Sequence, residues 1–353
     1  MTSKKHTLGA VGATCALVLG LGGIAAAGNT SATVDPASCV RGDTSTVCTV
    51  PHEQVTATET VIPAPETVTA TVTETVTATP SETPTTTPPV VTSKVIVGMS
   101  APASDWNTRL AEVGRCGVES RRIFADLTST GRDQSTLIEQ ALNAGMTPVV
   151  SYKVPSVTTL NANGYDSWLA ALNTYLGGFN KPITVTFWHE PHGDMTPAQF
   201  RDGSQQFLDS LTDSDLLLGP LLNGWLLDNR VSDWASYTSP ALLNQWDFLG
   251  LDTYQSGSEA SPGAYGGRAI PLARTWLNQQ GKPDLPIVVG EYNGFTADSI
   301  AKGGEQVLLA ANKVFAGAVW NSTGGTFTPL TGARLDAYKA TKADSRALHE
   351  EGC

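Results

Sequence analysis

Two glutamates are the residues best equipped for chemistry, Glu190 and Glu291, 101 positions apart. Glu190 lies in TFWHEPHGDM, residues 186–195, where His189, Glu190, His192 and Asp194 crowd the end of a run of strand formers. Glu291 closes a second apolar run, PIVVGE at 286–291. Two facing carboxyls can split an acetal. One protonates the departing oxygen, and the other attacks carbon directly when the two are about 5–5.5 Å apart, or activates a water across a wider gap. His189, His192 and Asp194 could instead suggest a metal, but their spacing is loose. No CxxC pair or His/Cys cluster supports zinc. No metal and no organic cofactor is expected.

Positioning two such groups requires a scaffold. Eight short apolar runs read as strands, at 95–100, 121–126, 147–153, 183–189, 216–223, 247–254, 286–291 and 315–320. Helix signals lie between them. Asp166 stands as a cap before Trp168, Leu169, Leu172, Tyr175 and Leu176 at helical spacing. Thr196 precedes Pro197, a cap followed by proline at the first helical position. A helix around 136–143 ends near Gly145. Strands alternating with helices over roughly 250 residues predict an α/β fold, a (β/α)8 TIM barrel. A doubly wound sheet is the alternative. It usually carries a glycine-rich phosphate loop after its first strand, where this chain has SAPASDW.

Barrel chemistry sits at the C-terminal strand ends. The polar residues collected there include Arg122, Trp188, His189, Glu190, Asn223, Trp225, Asp252, Tyr254, Glu291 and Trp320. Glu190 and Glu291 are the expected catalytic pair, one on strand four and one on strand seven. Trp188, Trp225, Tyr254 and Trp320 offer faces on which sugars stack, although Trp188 and Trp225 would equally serve as packing. Arg122 would contact substrate or pair with a buried carboxylate. Asp252 would contact substrate or cap a loop. A raised pKa for Glu190 is expected from partial burial and from the neighbouring Glu291 carboxylate.

The pattern WHEP after strand four, DTY after strand six, GEY after strand seven and a tryptophan ending strand eight resembles clan A glycoside hydrolases. Many members carry Asn-Glu before the proline. His189-Glu190 here is similar to family 26, which includes β-mannanases and some β-glucanases. The resemblance covers about residues 95–345. It implies Glu190 as general acid/base, Glu291 as nucleophile, and His189 as a contact to the reacting sugar. Tyr254 would hydrogen-bond the nucleophile, and Trp320 would be a platform below that sugar. After the acid this chain reads Pro-His-Gly-Asp, where family 26 mannanases often have Met-Asn-Gly.

The rest of the 353 residues speaks of export. Lys4, Lys5 and His6 precede an apolar run from Leu8 to Ala27 that ends in Ala25-Ala26-Ala27, a cleavable signal peptide or a retained anchor over 1–27. Residues 28–93 form a Thr/Val/Pro-rich linker that lacks the apolar surface to fold. Residues 94–353 form the catalytic-domain candidate. Cys39 and Cys48 would close a small loop, leaving Cys116 and Cys353 to staple the barrel seam. The net charge of −11 gives no basic excess for nucleic acid. The expected product is a secreted or envelope-tethered monomer, acting by retention on a β-linked polysaccharide or oligosaccharide, mannan- or glucan-type. Membrane or cell-wall association would run through the N-terminal segment. The competing class is a non-catalytic carbohydrate-binding or cell-surface domain on the same scaffold. A metal-dependent deacetylase would need a ligand set that the chain does not display.

Overall fold

The computed structural model describes residues 39–41, 46–48, 94–324 and 326–352. The signal or anchor and most of the linker therefore lie outside the described residues. Within the linker, Cys39–Arg41 and Thr46–Cys48 pair antiparallel, in a register that sets Cys39 opposite Cys48. That hairpin belongs to a separate unit of the chain.

The second unit is a barrel of parallel strands alternating with helices. We number the strands β1 (Ile96–Ser100), β2 (Ser120–Asp126), β3 (Thr147–Lys153), β4 (Ile183–Phe187), β5, β6 (Leu249–Tyr254), β7 (Ile287–Asn293) and β8 (Val314–Trp320). Strand β5 comes in two pieces, Leu216–Leu218 and Leu221–Asn223. Each strand pairs with the next in sequence, and β8 returns to β1. The first piece of β5 pairs with β4 and the second with β6, so the ring closes through Gly219 and Pro220. Proline has no N–H for a ladder. Gly219 is needed because a Cβ there would sit 2.4 Å from the Phe248 carbonyl oxygen.

Side-chain alternation decides what faces where. On β4, Val185 and Phe187 point to the helices, where Phe187 stacks on Phe200 with ring centroids 5.7 Å apart. On β2, Arg121 faces outward, its guanidinium 4.1 Å from the Trp106 ring centroid. Arg122 faces inward with its side chain wholly buried. Small buried residues inside the barrel, Ser120, Ser151, Thr184 and Thr186, leave room for it.

The helix after β4, Pro197–Ser210, begins as expected. Thr196 and Gln199 form a reciprocal capping box, with Pro197 at the first position. Asp166 is the first residue of the helix Asp166–Gly177 rather than its cap; the cap position is Tyr165, whose side chain makes no capping bond. The last helix, Gly332–Ala343, brings the chain back beneath the barrel. Lys342 Nζ donates to the Cys116 carbonyl at 2.6 Å, and Arg115 pairs with Glu350 at 3.2 Å. Cys353 lies outside the described residues. Among the described residues no helix is long and apolar enough to cross a membrane.

Candidate active site

The two glutamates reach the barrel mouth by different backbone devices. On β7 the register slips between Val289 and Glu291, so that Val289 pairs with Leu251 and Glu291 with Asp252. The extra residue is Gly290. A bulge of this kind re-aims the side chain that follows it. Glu291 therefore faces the mouth beside Asp252, while Tyr292 turns outward against the helix Ala297–Leu308, near Gly303. A Cβ at 290 would lie 2.4 Å from Asp252 Oδ1, so a larger residue would have to displace that carboxyl.

On β4 the strand ends in a twist. Trp188 and Glu190 both have positive φ, +56° and +49°, in the left-handed region that non-glycine residues rarely occupy. Each such residue costs on the order of 1 kcal/mol. The Glu190 N–H donates to the Leu221 carbonyl at 2.9 Å and the Trp188 N–H to the Tyr152 carbonyl at 3.0 Å, which fixes the turn. The result is that the consecutive residues His189 and Glu190 both line one cavity.

That cavity, about 510 Å³, is walled by Phe124, His189, Glu190, Tyr254, Glu291, Trp320, Gly324, Thr326 and Phe327. Five of the ten site residues expected from sequence thus meet on one surface. Glu291 is 5% exposed, and its Oε2 accepts a hydrogen bond from the Tyr254 hydroxyl. Arg122 lies behind it, Nε 3.9 Å from Glu291 Oε1, and donates to the Ile123 carbonyl at 2.8 Å. Arg122 thus pairs with a buried carboxylate. Trp225 and Asp252 line an adjoining cavity together with Glu190 and Tyr254. Trp188 and Asn223 sit behind the walls. The Trp188 indole N–H donates to Asp194 at 2.9 Å, and Asn223 Oδ1 accepts the His192 N–H at 3.0 Å. Both thereby brace the loop that carries Glu190.

Electrostatics separate the acids. Burial raises the Glu291 carboxyl to about 7, against the pull of Arg122 and the Tyr254 hydrogen bond, with Glu190 adding to the rise. Glu190 is also raised, chiefly by burial, opposed by Arg122 and Lys153 and reinforced by Asp194. Asp194 thus joins Glu291 as an acidic neighbour of Glu190, the Glu190–Glu291 repulsion being mutual. Between the pair, Glu291 is the one that accepts from a hydroxyl donor, Tyr254. Burial beside Arg122 and Lys153 lowers His189 to about 3, which keeps its imidazole neutral. Its Nδ1 lies 3.1 Å from Ser151 Oγ. Among the described residues no group of three or more His, Cys, Asp and Glu side chains could hold a metal ion.

Removing the tyrosine hydroxyl tests this balance. In Tyr254→Phe the Glu291 carboxylate loses its donor and ionises less readily. Activity should fall at least tenfold near pH 6, with the acid limb of the pH–rate profile moved to higher pH. A limb moved to lower pH would contradict the hydrogen bond's role.

Sequence reasoning missed Phe124 and Phe327. Phe124 shares a face with Arg122 on β2, and period-two reading from Arg122 would have found it. Its ring lies 4.2 Å from the Arg122 guanidinium and 4.9 Å from His189. Phe327 stacks on Tyr254 at 5.1 Å and on Phe295 at 4.7 Å. It comes from a loop with no readable period.

No protein-family model matches the sequence, and no functionally curated relative does. Solved structures do match. A modular endo-β-1,4-mannanase of glycoside hydrolase family 26 from Cellulomonas fimi aligns over 72% of each chain, at 18% identity and TM-score 0.51. GH26C from Muricauda aligns over 74% of this chain and 88% of its own, at 12% identity and TM-score 0.52. A chitinase from Chromobacterium violaceum aligns over 71% and 99%, at 11% identity and TM-score 0.50. What these chains share with this one is the fold, a (β/α)8 barrel.

Proposed function

We propose that the protein is a secreted, retaining endo-glycoside hydrolase acting on a β-linked polysaccharide of mannan or glucan type. The observation that carries this is Glu190 and Glu291 on the wall of one cavity, with the Tyr254 hydroxyl and the Arg122 guanidinium both placed against Glu291.

In the first step Glu291 attacks the anomeric carbon while Glu190 gives its proton to the departing glycosidic oxygen. The C–O bond breaks, the shortened chain leaves as an alcohol, and a glycosyl ester forms on Glu291. Glu190, now ionised, takes a proton from water, whose oxygen attacks the same carbon. The ester opens, Glu291 is released, and Glu190 is protonated again. Two inversions give net retention. The neutral His189 is suited to hydrogen-bond a sugar hydroxyl, and the aromatic walls to cover the ring's C–H faces.

The test is hydrolysis of linear β-mannan, mixed-linkage β-glucan and β-1,3-glucan, with the product anomer followed by proton NMR. One glycan should be cleaved, giving the β-anomer first. Glu190→Ala should lose at least 10³-fold on the polysaccharide and much less on substrates with an activated aryl leaving group, which needs no proton. Glycan binding without cleavage by the unaltered protein would favour the binding-domain reading.

Export also supports a Cys116–Cys353 disulfide. The chain's last described residues run beside Cys116, where the Glu350 N–H donates to Glu119 at 3.3 Å. The purified oxidised protein should show no free thiol. Reduction should lower stability by about 2–5 kcal/mol, because the bridge closes a loop spanning most of the barrel.

A further inference from the structure

Two cavities meet at the mouth, and their linings share Glu190 and Tyr254. The larger, about 510 Å³, contains Glu291. The smaller, about 180 Å³, contains Glu190 without Glu291. With Glu291 as nucleophile, the reacting sugar occupies the larger one. The bond to be broken lies at Glu190, on the border. The smaller cavity then receives the sugar on the leaving-group side.

Its walls are built for a polar ring. Asp252 lies at its base, 1% exposed, with its carboxyl oxygens shut off from solvent. Asp228 and Arg268, an ion pair at 3.4 Å, form part of its lining. Trp225 stands at its rim, 49% exposed. Its volume falls below the roughly 300–1,000 Å³ usual for drug-sized ligands. It has room for one ring and none for a branch. The larger cavity is open and falls within that range.

We infer that the enzyme cleaves only where the sugar on the leaving-group side is unsubstituted, while it accepts side branches on the sugar held over Glu291. This rests on the assignment of Glu190 and Glu291 above. Asp228 and Arg268 hold the hydroxyls of the bare sugar, and Arg268 closes the space a branch would need.

The experiment is a digest of paired glycans: linear and galactose-branched β-1,4-mannan, and linear and glucose-branched β-1,3-glucan. Products are sequenced by mass spectrometry. New non-reducing ends, which come from the leaving-group side, should be unbranched. New reducing ends should carry branches at close to their frequency in the polymer. Arg268→Ala should admit branched non-reducing ends and lower kcat/KM on the linear glycan about tenfold, relative to an aryl glycoside with the same glycon. Branches equally frequent at both new ends would overturn the assignment of the small cavity while leaving the catalytic pair intact. So would an Arg268→Ala product pattern identical to that of the unaltered protein. No cleavage of any glycan would overturn the catalytic reading and this inference with it.

Discussion

Glu291→Gln is expected to abolish turnover and make the protein more stable. As nucleophile, Glu291 forms the covalent intermediate, and an amide cannot replace it. The polysaccharide rate should fall by 10⁴-fold or more, on the scale seen when catalytic groups are deleted. Stability moves the other way. The folded carboxyl is raised from 4.5 to about 7, so the native state holds a proton that the unfolded state has released across that window. Stability is therefore lost as pH rises from about 4.5 through 7. A rise of roughly 2.5 units (7 − 4.5) corresponds to ~3 kcal/mol. Glutamine carries no such charge and still accepts from Tyr254. The variant should match the parent at pH 4 and exceed it at pH 8, with a melting temperature higher by roughly 5–10 °C. Thermal melts across that range check this. An equal Tm difference at pH 4 and pH 8 would mean that Glu291 is not buried as a charge.

Arg122→Met has the second largest effect, with the opposite sign on stability. The guanidinium is fully buried, lies 3.9 Å from Glu291, and lowers the pKa of Glu291, Glu190 and Asp252 together. Methionine matches its length without its charge. Three buried carboxyls then lose their shared cation. Removing one partner of a buried pair costs about 3–5 kcal/mol. That loss should be larger at pH 8 than at pH 5, because the raised Glu291 carboxyl, about 7, gains its charge between the two. The acid limb of the rate profile should move to higher pH, since Glu291 ionises later without its cation. His189 should become more basic, because Arg122 helps to hold it neutral. Chemical denaturation at the two pH values separates charge from packing. A loss of equal size at both would assign Arg122 to packing alone.

Much of this could be read from the chain. Strands β4 and β7 are continuous apolar runs that stop at an acid, and buried parallel strands leave that signature. Their order around the barrel placed Glu190 and Glu291 at one mouth. The direction of each side chain could not be read so directly. Glu291 faces inward because Gly290 is an extra residue in the ladder, and a glycine in a strand does not announce which way it shifts the register. Trp188 looked like a sugar platform beside His189. The left-handed backbone at 188 turns its indole to Asp194 instead, and no local propensity predicts that. Asp228 and Arg268 went unnoticed because they belong to a helix and a loop beyond β5 and β6. Only the assembled barrel brings them together.

The interruption at Gly219 and Pro220 has a topological consequence. By strand ladders the sheet is a ribbon with both ends in β5, joined into a ring by two residues of covalent chain and by one bridge pairing His189 with Leu221. The domain's own ends already touch at the other side: the Val95 N–H donates to the Arg346 carbonyl at 2.9 Å, and the Leu348 N–H to the Val95 carbonyl at 2.7 Å. Joining those ends and cutting between Gly219 and Pro220 would give a circular permutant whose strands run in ladder order from one terminus to the other. The Glu190 amide, bonded to the Leu221 carbonyl, would then help hold that permutant closed. The residue proposed to donate the proton is thus also a clasp of the barrel.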